Sequence, residues 1–190
     1  MAYFTQAYDR VMTVEGGYSN RAADRGGETY KGISRKYHPT WAGWAILDQY
    51  PLPDKKGADS NITLQGMVKD FYKVEYWDKF RGDEIRSQMV GEELFDTAVN
   101  MGLGTAIKFL QRALNVLNRR EKLYQDLTID GGMGTRTLAA MLTLKEDVLL
   151  TKVMNVLQGE HYVEIMLNDE TQEDNARGWF SRVNITKAAA

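Results

Sequence analysis

Cysteine is absent from the 190 residues, so the chain has no disulfide framework, no thiol nucleophile and no thiolate metal site. Histidine is nearly absent: His38 and His161 are too few and too far apart to suggest a metal centre, and neither a metal nor any other cofactor is expected. Basic charge is not in excess either. A formal net charge of −2 with a pI near 5.8 provides no overall field that would draw the chain to nucleic acid, which is not expected as a partner. No run approaches the roughly 18 apolar residues of a membrane span. Internal repeats, coiled-coil heptads and phosphate-binding glycine loops are missing too. What remains is a chain with 43% hydrophobic residues, which is too apolar for a disordered segment and long enough for one sizeable core or two small ones.

The apolar pattern is helical almost throughout. Phe4, Tyr8 and Val11 recur at helical spacing, and Glu15 follows four residues after Val11, on the same face. Gly16-Gly17 then stops the helix. A carboxyl group at that place meets three effects of one sign. An apolar setting disfavours the anion, the helix C-terminus is the negative end of the dipole, and no cation adjoins it in sequence. Each raises its proton affinity, as a general acid near neutral pH requires.

Eight residues separate Glu15 from Asp24, which sits in a glycine-rich, irregular stretch running from about Ser19 to Ile33. A helix-end Glu and a loop-borne Asp make two unlike carboxyl environments, the minimum equipment for cleaving a glycosidic bond. The alternative is a surface Glu lifting its head group from a helix end.

Further along, Ser34 to Asp48 reads as short helical turns, and Pro51, Pro53 and the polar run 54–60 read as a mobile loop. Asn61 or Thr63 caps a helix expected to reach about Phe80, with Leu64, Met67, Phe71 and Val74 facing the core. A second half is expected from about Glu92, giving regions 1–92 and 93–190 packed as one unit. It opens with a helix ending near Gly102 and continues with a long one through Leu117. A last long helix is expected from Glu146 to Leu167, with Val148, Leu149, Val153, Met154, Val156 and Leu157 apolar.

Four separated motifs occur along the chain: Glu15-Gly16-Gly17-Tyr18 with Asp24, Gly26-Gly27, Thr29 and Gly32-Ile33; Phe71-Tyr72-Lys73-Val74-Glu75-Tyr76-Trp77; Phe95-Asp96-Thr97-Ala98-Val99-Asn100-Met101-Gly102; and Gly178-Trp179-Phe180-Ser181-Arg182. In this order they resemble the glycoside hydrolase family 108 muramidases, lysozyme-like proteins also described as secretion activators and phage-type endolysins. Thr128 to Thr137 resembles the Asp-Gly-x-x-Gly-x-x-Thr turn of helical peptidoglycan-binding modules, where a threonine or its neighbour caps the next helix.

The resemblance implies an all-α, lysozyme-like fold with an irregular active-site loop. It implies cleavage of the β-1,4 bond between N-acetylmuramic acid and N-acetylglucosamine by a monomer acting on peptidoglycan glycan strands. Glu15 falls on the proton-donor position, and Asp24 and Thr29 fall on the two supporting positions. One departure is visible: four residues separate Asp24 from Thr29, where phage-type lysozymes outside the family carry five.

For substrate contact the candidates are Tyr18, as cleft wall or sugar ligand, Asn100, whose amide suits an N-acetyl group or a structural network, and Arg182, shared between helix packing and a wall contact. A non-catalytic wall-binding or secretion-assisting protein and a lytic transglycosylase stay open as other readings. Intact Asp24 weighs against the second, because a transglycosylase needs no partner to activate water. The N-terminus lacks the basic start, apolar core and cleavage site of a secretory signal, so the expectation is synthesis in the cytoplasm and release through a holin-type pore or another route.

Overall fold

A computed structural model describes residues 1–12, 17–20 and 27–184. The chain forms two compact units, one of Tyr8–Glu75 and one of Met1–Ala7 with Tyr76–Ala190. The 92/93 boundary of the sequence reading falls inside a helix, and the division between units lies at Glu75 and Tyr76. As the periodicity predicts, the fold is mostly helical, with eight α-helices among the described residues. To this the structure adds a small antiparallel sheet.

In the Tyr8–Glu75 unit, helix α1 (Phe4–Met12) supplies Val11 to the core, and Tyr8 meets the ring of Tyr72 edge-on at 6.0 Å. Burial, with Asp9 adding to it, pushes the Tyr8 hydroxyl up to about 12. The stretch read as an irregular loop contains three two-residue strands, β1 (Tyr18–Ser19), β2 (Thr29–Tyr30) and β3 (Ile33–Ser34), in the order β1-β2-β3. Ser19 pairs with Thr29 and Thr29 with Ser34, while Tyr18 pairs with Tyr30 and Tyr30 with Ile33. Side chains alternate across a strand, so one row is all hydroxyls and the other is mainly apolar. Tyr30 and Ile33 anchor that second row in the core.

Helix α2 (Gly43–Leu47) is the short helical segment expected before the prolines. Trp44 and Leu47 are buried there, and Trp41 packs edge-on against Trp44 at 5.1 Å. The polar run after Pro53 is exposed except at Lys55 and Ala58. Lys55 is 7% exposed, and its ammonium donates to the Tyr50 carbonyl at 3.4 Å and lies 3.9 Å from the Asp48 carboxylate. A buried ammonium needs such partners, so this segment has a fixed path into the helix that follows. Of the two candidate caps, Asn61 is the one used. Its Oδ1 accepts from the Leu64 N–H at 3.0 Å at the start of α3 (Ile62–Tyr72).

Helix α3 is shorter than expected and its buried line is Leu64, Val68 and Tyr72. It passes into a π turn, Lys73–Trp77. There the backbone bond spans five residues, which shifts the register. Val74, expected inside, is 50% exposed, and Trp77, five residues after Tyr72, is wholly buried.

In the second unit, Trp77 packs on Phe4 at 5.7 Å, on Phe80 at 5.3 Å and on Phe95 at 6.1 Å, and its indole N–H donates to Asp83 at 2.7 Å. Its neighbours have no room to spare: a Cβ on Gly82 would come within 2.2 Å of the indole. Helices α4 (Gln88–Met101) and α5 (Leu103–Leu117) meet at Gly102, whose φ of +85° suits glycine. Helix α6 (Thr135–Thr143) follows the glycine turn, and Gly134, the neighbour of Thr135, is its N-cap. Helix α7 (Asp147–Asn168) matches its expected span but buries Leu150, Met154, Asn155, Gln158 and Tyr162. Val148 and Val156, two of the apolar residues of this span, are each 53% exposed. Tyr162 stacks on Trp179 of α8 (Ala176–Phe180) with ring centres 4.9 Å apart.

Candidate functional site

Glu15 and Asp24 lie outside the described residues, and their places in the chain are set by what flanks them. Glu15 belongs to the four residues between the end of α1 at Met12 and Gly17. Asp24 belongs to the connection from β1 to β2. The described part of the hairpin is firmly held. The Gly17 carbonyl accepts from the Lys31 N–H at 3.0 Å, and the Lys31 carbonyl accepts from the Tyr72 hydroxyl at 2.7 Å. The hairpin is thus tied to α3 by a buried tyrosine.

Thr29 stands in the middle of the hydroxyl row, between Ser19 and Ser34, and its own hydroxyl donates to the Gly27 carbonyl at 3.1 Å. Tyr18 is half-buried, and its hydroxyl donates to Glu28 at 3.1 Å. Burial, reinforced by Glu28, raises the pKa of that phenol and keeps it a donor. Glu28 is a residue that sequence reasoning passed over. Its other oxygen accepts from Arg35 at 3.0 Å, and Arg35 makes two bonds of 2.7 Å to the carboxylate of Asp48 while lying over the Trp44 ring at 5.2 Å. The paired guanidinium holds Asp48 below the usual carboxylate range. Lys55 closes the group, lying 5.8 Å from the centre of the Tyr18 ring.

In the same row as Tyr18, the Tyr30 hydroxyl donates to Asp59 and accepts from Gln65, both at 2.8 Å, while Lys31 lies 3.8 Å from Asp59. A Cβ at Gly17 would lie 3.5 Å from an oxygen of Asp59, so this carboxylate borders Gly17. Charged groups of both signs therefore border the row that holds Tyr18 and Tyr30, each with a partner. No short-range spacing connects Glu28 with Asp48 or Tyr30 with Asp59, and only the folded hairpin brings them together.

Asn100 and Arg182 meet in the second unit. The exposed Asn100 amide donates to the Asp96 carbonyl at 2.8 Å, and Arg182 donates to the Asp96 carboxylate at 2.9 Å. Arg182 and Asp96 are largely covered, with side chains 16% and 21% exposed. The structure therefore places Tyr18 and Thr29 on one hairpin and joins Asn100 to Arg182 through Asp96. Among the described residues no cluster of His, Cys, Asp and Glu suits a metal ion, and no helix is long and apolar enough to cross a membrane.

The family model described as glycosyl hydrolase 108 matches residues 8–102, and the one described as a predicted peptidoglycan domain matches residues 105–184. No curated protein matches the chain. Among solved structures it is similar to SagA of Brucella abortus, with 24% identity, a TM-score of 0.59, and coverage of 95% of this chain and 88% of that one. At that identity the likeness bears on the fold alone.

Proposed function

Because the chain belongs to the glycosyl hydrolase 108 family, we propose that it is an N-acetylmuramidase, cleaving the β-1,4 bond between N-acetylmuramic acid and N-acetylglucosamine in peptidoglycan. The observation that carries this reading is the succession of two matches on one chain, a glycoside hydrolase over 8–102 and a peptidoglycan domain over 105–184. The first indicates bond cleavage in a glycan, and the second indicates which glycan.

In this reading Glu15 gives its proton to the departing glycosidic oxygen. Asp24, ionised, takes a proton from a water that attacks the opposite face of the sugar. Thr29 holds that water from the hydroxyl row. Tyr18 offers the glycan its ring, kept in place by Glu28. Asn100 spends its N–H on its own helix, which leaves its amide oxygen for an N-acetyl N–H. Arg182 acts through Asp96, steadying the helix turn that presents Asn100.

The expected stereochemistry is inversion. Asp24 comes from the β1–β2 connection and Glu15 from the segment after α1, so the two carboxyl groups approach the sugar from separate pieces of chain. Inverting pairs stand about 6.5–9.5 Å apart, which leaves room for water. Proton NMR of freshly cut glycan should show the α-anomer of the new reducing end first. If the β-anomer appears first, Asp24 is acting as a nucleophile and the water-activating role is wrong.

A further inference from the structure

Helix α5 presents Gln111 and Asn115 four residues apart, hence on one face, toward the segment 127–132. Asn115 treats Leu127 as a strand neighbour would. Its oxygen accepts the Leu127 N–H at 2.8 Å and its nitrogen donates to the Leu127 carbonyl at 2.9 Å. Gln111 is 1% exposed and fully engaged. Its oxygen accepts the Gly131 N–H at 3.0 Å, and its nitrogen donates to Asp130 at 2.8 Å, to the Gly132 carbonyl at 3.1 Å and to the Thr137 hydroxyl at 3.3 Å. Gly131 has φ of +76°, and a Cβ there would come within 2.9 Å of the Gly104 carbonyl oxygen. Two amides and one glycine thus hold an otherwise irregular segment rigid.

Beside this segment lies an open cavity of about 500 Å³ lined by Leu127, Asp130, Met133, Thr135 and Arg136 among others. The volume is that of a site for a small ligand. Its lining carries two opposite charges. One oxygen of Asp130 accepts from Gln111 and from the Gly132 N–H, which together hold the carboxyl below its usual range and leave the second oxygen for a ligand. Arg136 is exposed, and no ion pair holds it among the described residues.

A neutral N-acetylated glycan offers no cation to Asp130. The peptide stem of the wall polymer does, where its diamino acid carries an ammonium and a carboxylate on one short side chain. We propose that this cavity binds the zwitterionic end of a peptidoglycan stem peptide, with Asp130 taking the ammonium, Arg136 the carboxylate borne on the same carbon, and Leu127 and Met133 the methylenes of the side chain that carries both. The proposal rests on the reading of peptidoglycan as substrate and adds which part of it the second family region grips.

Isothermal titration of the full chain separates the outcomes, with three probes: the tripeptide L-Ala-γ-D-Glu-meso-diaminopimelate, trialanine, and chitotetraose. The tripeptide should bind saturably, and Arg136→Gln and Asp130→Asn should each weaken it by about tenfold or more, the scale of one lost charge-assisted bond. Trialanine, which lacks the zwitterionic side chain, should bind at least about tenfold more weakly, and chitotetraose should be indifferent to both substitutions. Absence of tripeptide binding, tripeptide binding unchanged in both variants, equal binding of trialanine, or chitotetraose binding that falls in the variants would overturn the proposal. Heat of binding does not depend on hydrolysis. A wall-degrading chain that ignores the tripeptide would therefore sink the cavity assignment alone, and an inactive chain that binds it would sink the muramidase reading alone.

Discussion

Replacing Glu15 by Gln should reduce clearing of purified cell walls by about 100-fold or more, the ordinary cost of losing a general acid. The melting temperature should stay close to that of the unaltered chain, because the amide keeps the shape of the acid and loses only the transferable proton. The sequence argument places Glu15 at the end of an apolar helical face. The structure adds that Gly17, two residues further on, accepts a backbone bond from Lys31. Retention of more than about a tenth of the activity would assign the proton to another group. Asp59 would then be the first to examine, because its carboxylate borders Gly17 and is 64% exposed. Glu28 is a poorer alternative, since both of its oxygens are occupied by Tyr18 and Arg35.

A fragment ending at residue 92 should be insoluble, or soluble without a cooperative melt. The cut divides α4 and removes Leu94, Phe95 and Ala98, all of which are fully buried. Phe95 meets Phe4 edge-on at 5.8 Å and Trp77 at 6.1 Å, so its loss strips the packing from an indole that is 0% exposed. Truncating one buried aromatic ring costs about 3–5 kcal/mol. The fragment loses Phe95 and uncovers Trp77 and Phe4 as well, against a whole-domain stability of about 5–15 kcal/mol. The first turn of α1 shares in this loss, since Met1–Ala7 belongs with the residues after Tyr76. A soluble fragment 1–92 that melts cooperatively and degrades walls would contradict this packing argument.

Elements with a strong period of their own were legible in advance. Helices α4, α5 and α7 appear close to where their apolar spacing puts them, and Asn61 caps α3 as one of two candidates. The strands were not legible, because two residues are too few to show an alternation. The exposure of Val74 and the burial of Trp77 have a local cause in the π turn at Lys73–Trp77, which breaks the 3.6-residue period. On α7 the buried face includes Asn155 and Gln158, polar residues that a hydrophobic pattern assigns to solvent. Lys55 was misread for the same reason, as a cation that the fold encloses and pairs.

For the site, the motif residues Glu15, Asp24 and Thr29 could be read from spacing and resemblance. The partners that hold the hairpin could not. Glu28 with Arg35 and Asp48, and Tyr30 with Asp59 and Gln65, are bonds across long stretches of chain. The link from Gln111 to Asp130 is of the same kind, since nothing in either local sequence announces the other.

Mass spectrometry of purified peptidoglycan digested by the full chain tests the muramidase reading most directly. Each cut should add one water and leave a free reducing end on N-acetylmuramic acid. Reducing ends on N-acetylglucosamine would name a different bond, 1,6-anhydro ends would mean that no water attacks and that Asp24 has no such role, and an undigested wall would leave a binding protein on a hydrolase fold.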